Sequence, residues 1–510
     1  YDFGLGIPAE PLFRSCLISM KSKHLFLRVK RDSLAFAAAI LLFSSCVDGY
    51  KDDWTFSSEV QGVTLESPST EGWTFTRNVD ITSLEIKWPV VLGAGGYQVT
   101  FYNIDDPDNP VVIGEENEVV DKCTITRDIT EDTKYKVAVR ALGNQKYNNA
   151  DAVAATEMTY NTLVRVRETI PTGTNLTEYF TANPIEPLAE GEEEIAYELV
   201  AGGVYEMDGN IDLGTTTLTI RGDKVNHAKL TMKRNASFIN RGAGLKIKFI
   251  DFDFDADTYS ASNSRGVVMF NSTEAGIVQQ PYVFQSCTIK DLPVPLYYCN
   301  NGYALSSLSI TDCLVSINTA STIFIAFNGQ GWIKDLSFSN STIYYTVPGS
   351  AYFVQMRGRT PSNFSGSGWS TSLRKMSNCT FYQIGTNNRF FNNVINSNSA
   401  VFFLEMQNTI FADCVVSSAT GTEGVFRRIC NAGNYGNVNY TLGYNTYYYS
   451  AVPGGFLDYD TSDENGRDHS GTAIKVEPKF VNAANGDFTL SSSEHIANRC
   501  GDPRWLPTTE

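Results

Sequence analysis

The segment Tyr282-Val-Phe284-Gln-Ser286-Cys287-Thr-Ile289 decides the fold, because the chain repeats it in altered letters. It returns as Leu308-Ser-Ile310-Thr-Asp312-Cys313-Leu-Val315, as Leu336-Ser-Phe338-Ser-Asn340-Ser341-Thr-Ile343, as Arg374-Lys-Met376-Ser-Asn378-Cys379-Thr-Phe381 and as Leu404-Glu-Met406-Gln-Asn408-Thr409-Ile-Phe411. Ahead of these, Ile247-Lys-Phe249-Ile-Asp251-Phe252-Asp-Phe254 stacks on the same pattern. The third positions fall at 249, 284, 310, 338, 376 and 406, so the spacings are 35, 26, 28, 38 and 30 residues. Periods of this size mark stacked supersecondary units. Positions one and three are apolar except at Arg374, the phase then breaks across a polar pair, and positions six and eight are small and apolar.

Two short strands joined at a bend produce that pattern. Asp or Asn stands at the bend in five of the six segments, where its side chain can cap backbone groups. One coil cannot bury its own inward face, whereas coils stacked in register can, with strands about 4.8 Å apart. The expectation is an all-β chain whose larger part, residues 170–510 including a C-terminal cap, is a right-handed parallel β-helix. The stack is expected to begin near Val204 and Leu218 and to close beyond Tyr444–Tyr449. Cys287, Cys313 and Cys379 share one inward position with Ser341 and Thr409, which reads as buried thiols filling a narrow corner. A Cys287–Cys313 disulfide is the alternative. Uneven spacing places insertions at 258–264 and 357–370, in loops that would wall a groove.

Residues 60–163 alternate apolar and polar, as in Leu84-Glu-Ile86-Lys-Trp88, Tyr97-Gln-Val99-Thr-Phe101 and Tyr135-Lys-Val137-Ala-Val139. Period-two runs between Gly, Pro, Asn and Asp clusters predict an antiparallel sandwich. The strand Trp with a later Thr-x-Tyr-x-Val-x-Val run resembles the fibronectin type III domain. That resemblance implies Trp88 in the core, Tyr135 over the sandwich edge, and a spacer role.

Before the sandwich, Met20 opens a basic stretch with Lys21, Lys23, Arg28, Lys30 and Arg31, followed by the apolar run 34–43 and Ser44-Ser45-Cys46. This outline is a secretory signal, and ten apolar residues are too few to span a bilayer. The junction resembles a bacterial lipoprotein signal, which implies lipidation at Cys46. Lys51-Asp52-Asp53 resembles the acidic export tag of Bacteroidota surface lipoproteins. Residues 1–45 are thus read as upstream extension and signal peptide, and 46–59 as a lipidated acidic tether. Without the first 45 residues the chain has 34 Lys and Arg against 53 Asp and Glu, a net −19. Such acidity argues against a nucleic-acid partner. No CxxC or Cys/His cluster marks a zinc site.

With the coils in place, the chain resembles the pectate-lyase-like β-helix superfamily. Its end, from Glu477-Pro-Lys-Phe480 to Gly501-Asp-Pro-Arg-Trp505, resembles β-helix lipoproteins of Bacteroidota encoded beside polysaccharide-degradation genes. The resemblance implies three readings: a surface-exposed outer-membrane lipoprotein that binds a polysaccharide, pectic chains included, alongside glycan-uptake proteins; a polysaccharide lyase acting by Ca²⁺-assisted β-elimination; or a non-catalytic adhesive protein. Lyases of this build hold Ca²⁺ through outward carboxylates and use an unprotonated Arg or Lys as base. The metal candidates are therefore Asp253 and Asp255, on the face opposite Phe252 and Phe254. In the stacking above, Asp253 shares its column with Thr288, Leu314, Thr342, Thr380 and Ile410, so neighbouring coils add no carboxylate.

The bases on offer are Arg357 and Arg359 in one loop and Arg427 and Arg428 in another. A loop Arg is more often a surface charge or a polysaccharide contact than a base, so Arg357 and Arg359 are read as substrate-binding candidates. Paired carboxylates for glycoside hydrolysis are scarce, since the segments from 282 to 411 hold only Asp312 and Glu405. Aromatic rings suit sugar contact, and Trp369 is the leading candidate, ahead of Trp332, Tyr344, Tyr345, Tyr440, Tyr444 and Tyr447 to Tyr449. Half of any alternating Tyr run must face the core.

Overall fold

The computed structural model describes residues 60–508 except 263, 271–275, 330, 357–367, 387, 393–400, 416–428, 430–437 and 452–467. Cys46, Arg357, Arg359, Arg427 and Arg428 lie outside the described residues. The chain divides after Asn161 into two compact units.

The first unit is a fibronectin type III-like sandwich. One antiparallel sheet holds strands Thr74–Arg77, Ser83–Lys87 and Thr124–Asp128, and the other is built on Gly96–Asn103 paired with Lys134–Leu142. Alternation in Lys134–Leu142 buries Tyr135, Val137, Val139 and Ala141 and leaves the residues between them partly exposed. Trp88 is buried against the rings of Trp73 and Tyr97, at 5.9 and 5.6 Å. The Tyr135 hydroxyl accepts a 2.7 Å hydrogen bond from the Thr130 amide, pinning the chain where it turns into the strand.

The second unit is the parallel β-helix. Each coil contributes to three sheets, and every inter-coil pairing within them is parallel. The first sheet runs from Val166–Ile170 to Val438–Gly443, the second from Val204–Met207 to Thr446–Tyr448, and the third from Asn210–Asp212 to Phe391–Asn392. The stack thus opens earlier than the repeat places it, at Val166. Helix Leu176–Ala182 lies at that end, with Asn175 capping the Thr177 and Glu178 amides and Leu176 and Phe180 buried in the same core.

From Phe249 onward, the bend between the first and second sheets has one conformation. Phe249, Ser286, Asp312, Asn340, Asn378, Asn408 and Tyr444 all sit in the left-handed region, with φ between 47° and 59°. The amide of each of the first six donates to a carbonyl of the next coil, at 2.8 to 3.0 Å. Left-handed backbone costs an ordinary L-residue about 1–2 kcal/mol, and Asn and Asp tolerate it best. That cost explains the Asp/Asn column.

This conformation also corrects the first stacked segment. Leu245 pairs with Tyr282 and Ile247 with Phe284, so the segment starts at Leu245 and its bend residue is Phe249, not Asp251. Asp251, rather than Asp253, shares the Thr288, Leu314, Thr342, Thr380 and Ile410 column, while Asp253 pairs with Thr231. An aromatic residue at the bend, followed by alternating Asp and Phe, hid a two-residue slip.

Inside the coils, side chains stack in rows. Phe324 lies parallel to Phe353 at 4.9 Å, and Phe381, Phe411 and Tyr447 continue a stack at 5.3 and 5.7 Å. Cys287, Cys313 and Cys379 occupy the inward corner as free, fully buried thiols beside Ser341 and Thr409. Burial pushes the Cys287 and Cys379 thiols well up, which keeps them un-ionised. Arg374, the exception in the apolar columns, also points inward and is 2% exposed. Its guanidinium lies over the rings of Trp332 and Phe402, at 5.1 and 5.5 Å, and donates to the carbonyls of Ile333, Lys334 and Leu373. Burial brings its pKa down to about 9, partly offset by Asp335. Sealed in the core, it is a structural cation.

The C-terminal residues 474–506 lie along the outer face of the second sheet. Ile474, Leu490, Cys500 and Leu506 pack on Ile410 and Ala412, and Phe488 packs on Tyr344 and Tyr382. Trp505 donates to the Thr342 hydroxyl at 2.7 Å, Thr342 donates to Asp502 at 2.8 Å, and Arg504 reaches back to the Asp312 carbonyl. Gly501, at φ +93°, lies so close to the stack that a Cβ there would stand 3.0 Å from Ile410. His495 is fully buried, with Nε2 3.0 Å from the Thr446 hydroxyl and Nδ1 2.7 Å from that of Ser492.

Two outcomes follow from these contacts. Asn378→Ala is expected to lower stability by about 1–2 kcal/mol while Asn378→Gly is nearly neutral, because only the left-handed cost differs; urea unfolding of both variants checks this. Burial holds the His495 pKa at about 4, below its ordinary 6.5. The unfolded chain therefore takes up the proton first, and stability falls as pH drops from 6.5 towards 4. The loss is of order 3 kcal/mol. Thermal melts across that range are expected to be flatter for His495→Gln than for the parent chain.

Candidate ligand groove

The third sheet carries the cavity that the coils leave open to solvent. In strands Ile325–Phe327 and Val354–Met356, alternation buries Ile325, Phe327, Val354 and Met356 in the core and turns Ala326 and Gln355 outward. Ala326 pairs with Gln355, and Gln355 with Asn392, so three coils place one outward residue each in a row. Ala326 and Gln355 form the floor of a groove of about 400 Å³. Pro295, Ser321 and Ile323 line the side where the chain enters the sheet, and Asn300 and Asn328 the side where it leaves.

The walls stand close because neighbouring backbones touch there. A Cβ on Gly329 would come within 2.5 Å of the Asn300 carbonyl oxygen. Gln355 is only 4% exposed although it faces outward, and its amide is used in both directions. It donates to Asn328 Oδ1 and accepts from Asn392 Nδ2 at 3.1 Å. None of the described residues lining the groove is ionisable. Its surface offers amide and hydroxyl groups beside an apolar strip of Pro295, Ile323 and Ala326, which is the mixture that a sugar's hydroxyls and C–H faces require.

The residues singled out from sequence lie elsewhere. Asp255 is spent on a turn, accepting from the amides of Asp257 and Thr258 at 3.0 and 3.1 Å, and Asp253 is exposed beside Thr231. The acidic strand's engaged carboxylate is Asp251, 2.9 Å from His227 Nδ1. Burial opposes its ionisation, but hydrogen bonds from His227 and Thr288 outweigh that and hold it below the usual carboxylate range. Among the described residues, no three His, Cys, Asp or Glu side chains are grouped to hold a metal.

The first sheet adds an acidic residue that the eight-residue segments omitted. Its strand Trp332–Ser339 begins early and puts Asp335 on the outer face, paired in register with Leu373. Glu405 lies one coil further and two residues along. Strand geometry separates the Cα atoms of Asp335 and Glu405 by about 12 Å, beyond the roughly 5–9.5 Å carboxyl spacing of glycosidases. Each already faces a lysine, Asp335 at 2.5 Å from Lys334 and Glu405 at 3.7 Å from Lys375.

Of the aromatic candidates, Trp332, Tyr345 and Tyr447 are core residues and Tyr344 lies against Phe488 of the tail. Trp369 is half-buried and donates from Nε1 to Gln279 at 3.2 Å. It precedes strand Thr371–Ser377 in the connection from the third sheet to the first, the corner that also carries Asn300 and Asn328.

Three family profiles match the chain, all described as domains of unknown function: DUF4992 over residues 20–202, DUF4957 over 203–346 and DUF5123 over 375–505. None spans half of the chain. No curated protein matches. Among solved structures, an FN3 domain variant (FN3tt mut) is 18% identical, covering 20% of this chain and 99% of its own, with a TM-score of 0.15. Pectate lyase PelI from Erwinia chrysanthemi, in complex with tetragalacturonic acid, is 11% identical over 56% of this chain and 84% of its own, at a TM-score of 0.13. Pectate lyase Pel3 from Pectobacterium carotovorum is 13% identical over 67% and 80%, at 0.12. The fold itself rests on the strand register described above.

Proposed function

We propose that this chain is a surface-exposed lipoprotein of the outer membrane that binds a polysaccharide through its β-helix, within a glycan-utilisation system. The groove on the third sheet supports the reading: amides on three successive coils beside an apolar strip, walled by the turns around them. The signal outline ending at Cys46 supports the anchor, and the fibronectin type III-like unit would serve as a spacer between anchor and β-helix. Glycan-uptake proteins of the outer membrane are the natural partners of such a binder.

A second reading, a polysaccharide lyase assisted by Ca²⁺, is favoured by one feature of the chain. Arg357 and Arg359 follow Gln355 within four positions. A lyase releases unsaturated uronate products, and their ultraviolet absorbance from a polyuronate panel, abolished by chelator, would replace the first reading with the second.

The binding reading predicts retardation of the exported chain in native gels containing polysaccharide. Trp369→Ala is expected to weaken it by about three- to tenfold, the loss of one stacking contact. If no glycan in a broad panel retards the protein, the adhesive role stands instead. Cys46→Ser is expected to move the protein from the membrane fraction to the soluble one.

A further inference from the structure

We infer that the groove selects an uncharged polysaccharide and holds it by hydroxyl-to-amide hydrogen bonds, without calcium. The inference rests on the binding reading above and names the ligand class for the same site. Its basis is the relay Asn392 to Gln355 to Asn328, in which each amide donates to the next across adjacent coils. The relay consumes Gln355 at both ends. It leaves Asn392 Oδ1 as an acceptor at one end and Asn328 Nδ2 as a donor at the other, with no partner for either among the described residues. Those are complementary ends, and a sugar hydroxyl, being donor and acceptor at once, satisfies either.

A uronate carboxylate fits this surface poorly. It only accepts hydrogen bonds, so the donor end at Asn328 Nδ2 can serve it but the acceptor end at Asn392 Oδ1 cannot, and no described lining residue supplies a cation to offset its desolvation. Among the described residues, the groove lining of Pro295, Asn300, Ser321, Ile323, Ala326, Asn328 and Gln355 supplies no positive charge. The chain's own net charge of −16 adds a repulsive background for polyanions. The nearest buried cation identified above, Arg374, is committed to core carbonyls and aromatic rings. Rows of outward residues repeat once per coil, about 4.8 Å apart, so the readout suits a chain with regularly spaced hydroxyls.

The test uses the exported chain in native gels cast with galactan, arabinan or glucomannan, and in parallel with polygalacturonate. Retardation in a neutral gel is expected, unchanged by EDTA and by several-fold more salt. Gln355→Glu removes the donor that orients Asn328 and puts a carboxylate on the floor; with the donor end of the relay released, neutral-glycan binding is expected to weaken by about tenfold, the worth of one misplaced hydrogen bond. Asn328→Asp, at the groove edge, serves as the second variant should Gln355→Glu disturb folding, which thermal melts report. Retardation confined to polygalacturonate, or abolished by EDTA or salt, overturns the inference and leaves polysaccharide binding standing. Neutral binding unaffected by either folded variant overturns the assignment to this groove. No retardation in any gel overturns the binding reading itself.

Discussion

From Phe249 onward, the second unit depends on one strained backbone position per coil. The left-handed residue between the first and second sheets turns the chain sharply, and its amide is captured by the carbonyl of the coil above. The two halves support each other: the turn is unfavourable on its own, and the hydrogen bond offsets part of its cost. Together they fix the register of two sheets. Register then decides which side chains face inward, so the thiol corner, the aromatic stacks and the apolar rows all follow from that corner.

The outer faces inherit their roles from the same register. On the second sheet, the column of Thr342, Thr380, Ile410 and Thr446 is small enough and apolar enough to be covered, and the tail covers it. On the third sheet, the corresponding outward row is Ala326, Gln355 and Asn392, and no described element lies across the groove that Ala326 and Gln355 floor. The β-helix therefore has one flank occupied by its own chain and another that presents hydrogen-bonding groups to solvent.

The coils were legible in the sequence because four of the six bend residues, Asp312, Asn340, Asn378 and Asn408, are Asp or Asn and because inward positions repeat. The slip at Phe249 shows the limit. An aromatic residue held left-handed by its neighbours carries no local signature, while the Asp alternation beside it imitates one. The groove was invisible for a different reason. Gln355 lies in a three-residue strand, Val354–Met356, whose distance from the recognisable segments varies from coil to coil, so no column of letters aligns it with Asn328 and Asn392. Candidate residues chosen by chemical type alone went to turns, ion pairs and the core, as Asp255, Glu405 and Trp332 show. Only the spatial pairing of coils separates those uses from binding.

The tail alters how the stack comes apart. In a solenoid, each coil touches only its neighbours, so coils can unravel from an end one by one. Here Arg504 contacts the carbonyl of Asp312 across 192 residues of sequence, while Asp502 and His495 reach Thr342 and Thr446 in other coils. Loosening any of these coils disturbs a strap shared by all, so the span from 312 to 446 behaves as one cooperative block. The block is completed only once the coils and the strap that follows them in sequence are all in place, which ties its final locking to contacts distant along the chain.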